Sequence, residues 1–137
     1  MNIIVCIDDR KGMMFGGRRQ SRDRAVAEDI GALAGDLLYI FPYSKVLFDG
    51  ANIPFTVCEN IQQNFPENAM IFVENLDIKQ HFTVNLIDKI ILYKWNRKYP
   101  ADLFFNIEPE SLGYRLTSTY EFAGFSHENI TREIYEK

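Results

Sequence analysis

Apolar runs alternate with polar segments along the first 95 positions, and the length of each run predicts a buried strand. The run 2–7 (NIIVCI) is rich in β-branched residues and is followed by the polar segment 8–12. Short continuous runs of this kind are typical of strands that are buried on both faces of a sheet. Further strands are predicted at 37–41, 53–58, 69–74 and 89–95.

The last 25 residues have a different pattern. Apolar and polar residues alternate at 113–122 and 128–136, and a glycine-containing segment separates the two stretches. This alternation predicts an antiparallel hairpin with one face in contact with solvent. We therefore expect an α/β fold, with one mostly parallel central sheet flanked by helices and ending in an antiparallel C-terminal hairpin.

A segment with the apolar periodicity of a helix lies between the first two predicted strands. Val26, Ile30, Leu33 and Leu37 follow one another at spacings of four, three and four residues. Ser21 is predicted to cap this helix, which should end near Gly35. One or two helical turns are expected within 41–50, and a short helix is expected within 76–86.

Length and composition predict a single domain that spans 1–137. The chain is 47% hydrophobic, which is sufficient for a buried core, and no apolar run approaches the roughly 18 residues that a membrane span requires. The N-terminus also lacks the features of a signal peptide, so we expect a cytoplasmic protein without a membrane partner. Cys6 and Cys58 fall in apolar runs and are predicted to be reduced core thiols.

Positive charge is concentrated near the N-terminus of a chain whose net charge is -4. The segment 16–24 (GGRRQSRDR) contains four arginines, at positions 18, 19, 22 and 24. If Ser21 caps the helix, Arg18, Arg19 and Arg22 can converge with free N–H groups on a small anion. The alternatives are a solvated loop, or an internal network with nearby carboxylates, which are Asp8, Asp9, Asp23, Glu28 and Asp29.

The order of these elements resembles that of the dihydrofolate reductase family. The segment 90–108 (IILYKWNRKYPADLFFNIE), the closing hairpin and the first strand, which ends at Asp8, carry the resemblance. Gly12 and Asp23 stand close to the family's spacing for a glycine and for its acidic substrate residue. The resemblance implies that Asp23 is a catalytic acid, and the alternative is an acidic residue that interacts favourably with the dipole at the start of the helix. We expect an active surface to combine Asp8, Gly12, the arginine segment and Asp23.

Several functional positions depart from the family. Gly17-Arg18 replace its Pro-Trp pair, and Ala27 replaces an aromatic residue that normally lies against the pterin. Asn75-Leu76-Asp77 replace a glycine turn whose backbone approaches the cofactor pyrophosphate. NADPH, the cofactor that the resemblance implies, is therefore disfavoured.

Three functions follow from these observations. The leading hypothesis is a divergent protein that binds a small anionic or nucleotide-like ligand at the arginine-rich loop and helix start, through Asp8, Gly12, Arg18, Arg19, Ser21 and Arg22. An NAD(P)H-dependent reductase of a pterin-like substrate is the first alternative, and it is the activity expected if the protein is an enzyme. RNA binding or processing through the arginines is the second, and aromatic and basic residues also alternate within 93–99.

Histidine and cysteine spacing gives no support to a metal site. The two histidines, His81 and His127, are far apart and belong to no metal-binding motif. Each is predicted to be a surface or core-edge residue.

Overall fold

The computed structural model describes residues 1–60 and 64–137, and its elements follow the predicted order. The strands are β1 (Asn2–Ile7), β2 (Gly12–Phe15), β3 (Arg18–Arg19), β4 (Leu38–Ile40), β5 (Thr56–Val57), β6 (Met70–Phe72), β7 (Lys89–Lys94), β8 (Leu103–Phe104), β9 (Arg115–Phe122) and β10 (Ile130–Glu136). The helices are α1 (Arg24–Ala34), α2 (Lys45–Asp49) and α3 (Ile78–His81), with 3-10 turns at Pro42–Ser44, Val84–Leu86 and Glu110–Leu112.

Seven of these strands form the central sheet, in the order β5-β4-β6-β1-β7-β10-β9. Strands β5, β4, β6, β1 and β7 are parallel to one another, whereas β10 is antiparallel to both β7 and β9. The fold class predicted from the sequence is therefore confirmed, including the final hairpin. Strands β4, β5 and β6 are shorter than predicted, because only two or three residues of each apolar run pair with a neighbouring strand.

The first strand is buried on both faces, as its continuous apolar run predicted. Ile3 and Val5 face one core cluster, in which Ile90 and Leu92 of the neighbouring strand β7 also lie. Ile4 faces the other cluster, where Val26 and Ile30 of α1 cover the sheet. Helix α1 is thus held against the sheet by its apolar stripe.

The arginine segment begins in a second, three-stranded sheet that the sequence analysis did not predict. Arg18 and Arg19 form β3, which pairs with β2, and β2 also pairs with β8. Gly16 and Gly17 form the connecting turn with φ values of 58° and 74°, a conformation that glycine adopts without steric cost. Arg18 and Arg19 therefore extend along a strand after this turn, rather than converging with Arg22 at the start of the helix.

The start of α1 differs from the prediction. The helix begins at Arg24, and the carboxylate of Asp23, rather than the hydroxyl of Ser21, accepts a hydrogen bond from the backbone N–H of Ala25 at 2.9 Å. Ser21 lies two positions before this cap, and its hydroxyl contacts a distant histidine instead. The predicted end is confirmed, since Gly35 is the C-cap with φ of 58°. Among the described residues, no helix combines the length and apolarity that crossing a membrane requires.

Candidate functional site

A cavity of about 220 Å³ lies where the start of α1 meets α2 and the ends of the central strands. Its apolar wall includes Val26, Ala27, Ile30, Leu47, Phe48, Phe72 and Trp95. Its polar lining includes Arg19, Gln20, Ser21, Arg22, Asp23, Arg24, Glu74 and Ser126. The cavity therefore joins an apolar interior to a rim that contains three of the four clustered arginines.

The carboxylate of Asp23 is at the centre of a hydrogen-bond network beside this cavity. It accepts hydrogen bonds from the backbone N–H groups of Ala25, Phe125 and Ser126 at 2.9 to 3.0 Å, and from Nδ1 of His127 at 2.9 Å. Burial would raise the pKa of Asp23, but the hydrogen bonds from His127 and the backbone outweigh it and hold the pKa well below its ordinary range. The carboxylate stays ionised near neutral pH, so this geometry does not support Asp23 as a proton donor.

His127 is the site residue that the sequence analysis missed. The prediction of a surface or core-edge residue is wrong for His127, which is 5% exposed and stacks on Trp95 with ring centroids 4.7 Å apart. Its Nε2 atom lies 2.9 Å from the hydroxyl of Ser21 and 3.3 Å from that of Tyr99. Ser21 and Asp23 therefore do share a site, but through a histidine more than one hundred positions away. His81 is exposed, as predicted.

Arg19 is an internal structural residue. Its guanidinium donates two hydrogen bonds to the carboxylate of Glu74, at 3.0 and 2.9 Å, and a third to the carbonyl of Tyr43 at 3.1 Å. The hydroxyl of Ser44 donates to the same carboxylate at 2.7 Å. The anion beside Arg19 is therefore a side chain of the protein, and it is none of the five carboxylates named from the sequence.

The other arginines are exposed. Arg24 lies 3.6 Å from Glu28, one of the partners expected from the sequence, but both side chains are largely in solvent. Arg22 lines the cavity and has no ion-pair partner within residues 1–60 and 64–137. Arg18 is exposed on β3 and is not part of the cavity lining. The four arginines therefore do not converge on one point.

Asp8 and Gly12 lie apart from the cavity. The Asp8 carboxylate accepts hydrogen bonds from the backbone N–H groups of Gly12, Arg10 and Tyr99 at 2.7 to 3.1 Å, and from Nε2 of Gln20 at 3.0 Å. A side chain at Gly12 would meet the β-carbon of Ala101 at 2.6 Å. Asp8 and Gly12 therefore support the chain segment that leads to the cavity rim. Gln20 connects them to the cavity, because it donates to Asp8 and also lines the cavity.

The remaining candidates for redox or metal chemistry give no site. Cys6 and Cys58 are free, and burial raises the pKa of each thiol above its ordinary value. Within the described part of the chain, no three histidine, cysteine or acidic side chains gather as metal ligands would.

Comparison with known proteins supports the fold. No family model and no characterised protein sequence matches the chain. Among solved structures, the dihydrofolate reductase from Enterococcus faecalis complexed with NADP(H) and RAB-propyl is similar with a TM-score of 0.67 and 9% sequence identity. The match covers 98% of this chain and 94% of that one. The chain therefore has a dihydrofolate reductase-like fold.

Proposed function

We propose that this protein binds a small ligand that joins an anionic group to an apolar or ring-shaped body, in the cavity at the start of α1. The observation that carries this proposal is Arg22, an exposed cation at the rim of a cavity with an apolar wall. A guanidinium group without an internal partner is available to form charge-assisted hydrogen bonds with phosphate or carboxylate.

The lining of the cavity supports such a two-part ligand. Phe48, Phe72 and Trp95 provide an apolar and aromatic wall, on which a ring or short chain loses its contact with water. Ser21 and Gln20 supply polar groups between this wall and the rim.

Three of the residues predicted from the sequence keep a place in this proposal. Arg22 binds the anion, Ser21 lies beside the ligand, and Asp23 holds the rim in position. Arg19 is already paired with Glu74. Asp8 and Gly12 do not contact the ligand in this proposal, and they support the segment that carries the rim. Arg18 serves as a comparison because it is exposed outside the cavity.

A nicotinamide dinucleotide, which the similar reductase carries, does not fit the corresponding residues of this chain. Glu74 follows β6 and is buried in its ion pair with Arg19, in place of a glycine-rich approach to the sheet. The carboxylate of Asp77 already accepts hydrogen bonds from the backbone N–H of Gln80 and from the side chain of Asn106, at 3.0 and 2.9 Å. A pyrophosphate at this position would meet a carboxylate and be repelled. A pterin reductase is therefore the weaker candidate.

Isothermal titration calorimetry tests the proposal with inorganic phosphate, AMP and benzoate as probes. Arg22→Ala should weaken binding of the anionic probes by roughly ten- to a hundredfold, which corresponds to one charge-assisted hydrogen bond. Arg18→Ala should leave binding unchanged. Equal affinity in wild type and Arg22→Ala, or no binding of any probe at millimolar concentration, would contradict the proposal. Binding of single-stranded RNA that weakens in Arg18→Ala would favour the nucleic-acid alternative instead.

A further inference from the structure

Ser21, His127 and Asp23 form a continuous hydrogen-bonded chain that opens into the cavity. The distance from Ser21 Oγ to His127 Nε2 is 2.9 Å, and the distance from His127 Nδ1 to Asp23 Oδ2 is also 2.9 Å. The side chains of His127 and Asp23 are 3% and 0% exposed, whereas Ser21 is half-buried and lines the cavity. Ser21 is therefore the most exposed residue of this hydrogen-bonded chain and the one that can meet a ligand in the cavity.

The ionised carboxylate determines how the ring is protonated. Because the carboxylate only accepts hydrogen bonds, Nδ1 of His127 must carry the proton that it donates to Asp23. In the neutral form of the ring, Nε2 then has a lone pair, which lies 2.9 Å from Oγ of Ser21 and can accept the hydrogen bond from its hydroxyl. Stacking against Trp95, at an interplanar angle of 26°, fixes the plane of the ring.

We propose that Ser21 is a nucleophile for acyl transfer, with His127 as its general base and Asp23 as the residue that positions His127. This order of groups, a hydroxyl bonded to an imidazole that is bonded in turn to a buried carboxylate, is the arrangement that activates serine in unrelated folds. The inference goes beyond ligand binding and rests on the proposed function only for the position of the substrate.

The reaction needs only an ester and water. The oxygen of Ser21 bonds to the acyl carbon as its proton passes to Nε2 of His127, and the ester C–O bond then breaks while His127 returns that proton to the leaving alcohol. Water repeats the sequence on the acyl-serine, releasing the carboxylic acid and restoring Ser21. No oxidant, reductant or metal is consumed.

The cavity defines the class of ester. Its apolar wall fits a small apolar acyl group, and Arg22 at the rim attracts an anionic group on the alcohol side. We therefore infer a substrate in which a small apolar acid is esterified to an anionic alcohol.

A fluorophosphonate probe tests the nucleophile directly, because serine oxygen displaces fluoride from it and keeps the phosphonyl group. Intact-protein mass spectrometry should show one added group on the wild type, and peptide mapping should place it on Ser21. Ser21→Ala should remain unlabelled, while Ser111→Ala, which removes an exposed serine of a 3-10 turn, should be labelled like the wild type. His127→Gln should slow labelling by about 10²- to 10⁴-fold, as loss of a general base does.

Hydrolysis of p-nitrophenyl butyrate should be equally fast in wild type and Ser111→Ala, slower in His127→Gln and absent in Ser21→Ala. Thermal unfolding of each variant shows whether it is folded, so that loss of labelling in a folded Ser21→Ala protein identifies the nucleophile. Labelling of Ser126 or Tyr99, unchanged hydrolysis in Ser21→Ala, or no labelling of the folded wild type would overturn the proposal. Since the phosphonate needs no anionic group, its failure is distinguishable from a failure of AMP or phosphate to bind.

Discussion

Nδ1 of His127 and the carboxylate of Asp23 lie 2.9 Å apart, although 104 positions separate the two residues in the sequence. This contact joins the loop between β9 and β10 to the residue that caps α1. The backbone N–H groups of Phe125 and Ser126 donate to the same carboxylate, at 3.0 and 2.9 Å. The start of the helix and the tip of the final hairpin therefore share one buried anion.

Stability should fall in acid partly because Asp23 becomes protonated. Its pKa is lower in the folded than in the unfolded protein, so its contribution to the unfolding free energy is fully present above the unfolded pKa of about 3.9 and is lost as pH falls towards the folded value. Urea unfolding at pH 7, 5, 4 and 3 should show a smaller loss of free energy for Asp23→Asn than for wild type. Parallel pH dependences in the two proteins would contradict this assignment.

The ion pair between Arg19 and Glu74 should contribute strongly to stability. Both side chains are mostly buried, at 18% and 8% exposure, so Arg19→Ala leaves an uncompensated carboxylate and should cost roughly 3 kcal/mol or more of unfolding free energy. Arg18→Ala, on the same strand but exposed, should change it by less than about 0.5 kcal/mol. The double variant Arg19→Ala, Glu74→Gln should recover part of the loss. Equal costs for the two arginines would show that Arg19 is not an internal tie.

Gly124 should be required for close packing of the hairpin loop against the helix cap. A β-carbon at this position would lie 2.4 Å from Oδ2 of Asp23 and 2.9 Å from Cδ1 of Ile130. Gly124→Ala should therefore lower the unfolding free energy by about 1–3 kcal/mol, as overpacking of a core does. Gly50→Ala is the matched control, because its added methyl group meets open space in a right-handed helical conformation. A Gly124→Ala protein as stable as Gly50→Ala would refute the close packing.

NADPH should leave the thermal midpoint unchanged at 1 mM. The physical reason is the pair of carboxylates, Glu74 and Asp77, at the end of β6 and the start of α3, where a cofactor pyrophosphate would need N–H donors. If the Kd of NADPH were one hundred times lower than this concentration, binding would stabilise the folded protein by about 2.7 kcal/mol. Differential scanning fluorimetry with and without NADPH distinguishes these outcomes. A clear rise in the midpoint would favour the reductase alternative.

The sequence by itself determined the order and type of the main elements. The β-branched run at 2–7 is typical of a strand that is buried on both faces. The helical spacing from Val26 to Leu33 is typical of a helix that buries one stripe, and the alternation at 113–122 is typical of a strand that buries one face. The turn at Gly16-Gly17 and the helix end at Gly35 were also predictable, because positive φ favours glycine within a few residues of chain. These features explain why the resemblance to a known fold was visible without shared functional motifs.

Only the tertiary structure decided which polar residues meet. The sequence predicted Ser21 as the helix cap, but the hydroxyl of Ser21 bonds to His127, 106 positions away, and Asp23 caps the helix instead. Arg19 likewise pairs with Glu74, 55 positions along the chain, although the five carboxylates named from the sequence are all nearer to it in the sequence. Burial and hydrogen-bond geometry select such partners after the strands have paired, and that selection leaves no periodic signal in the sequence.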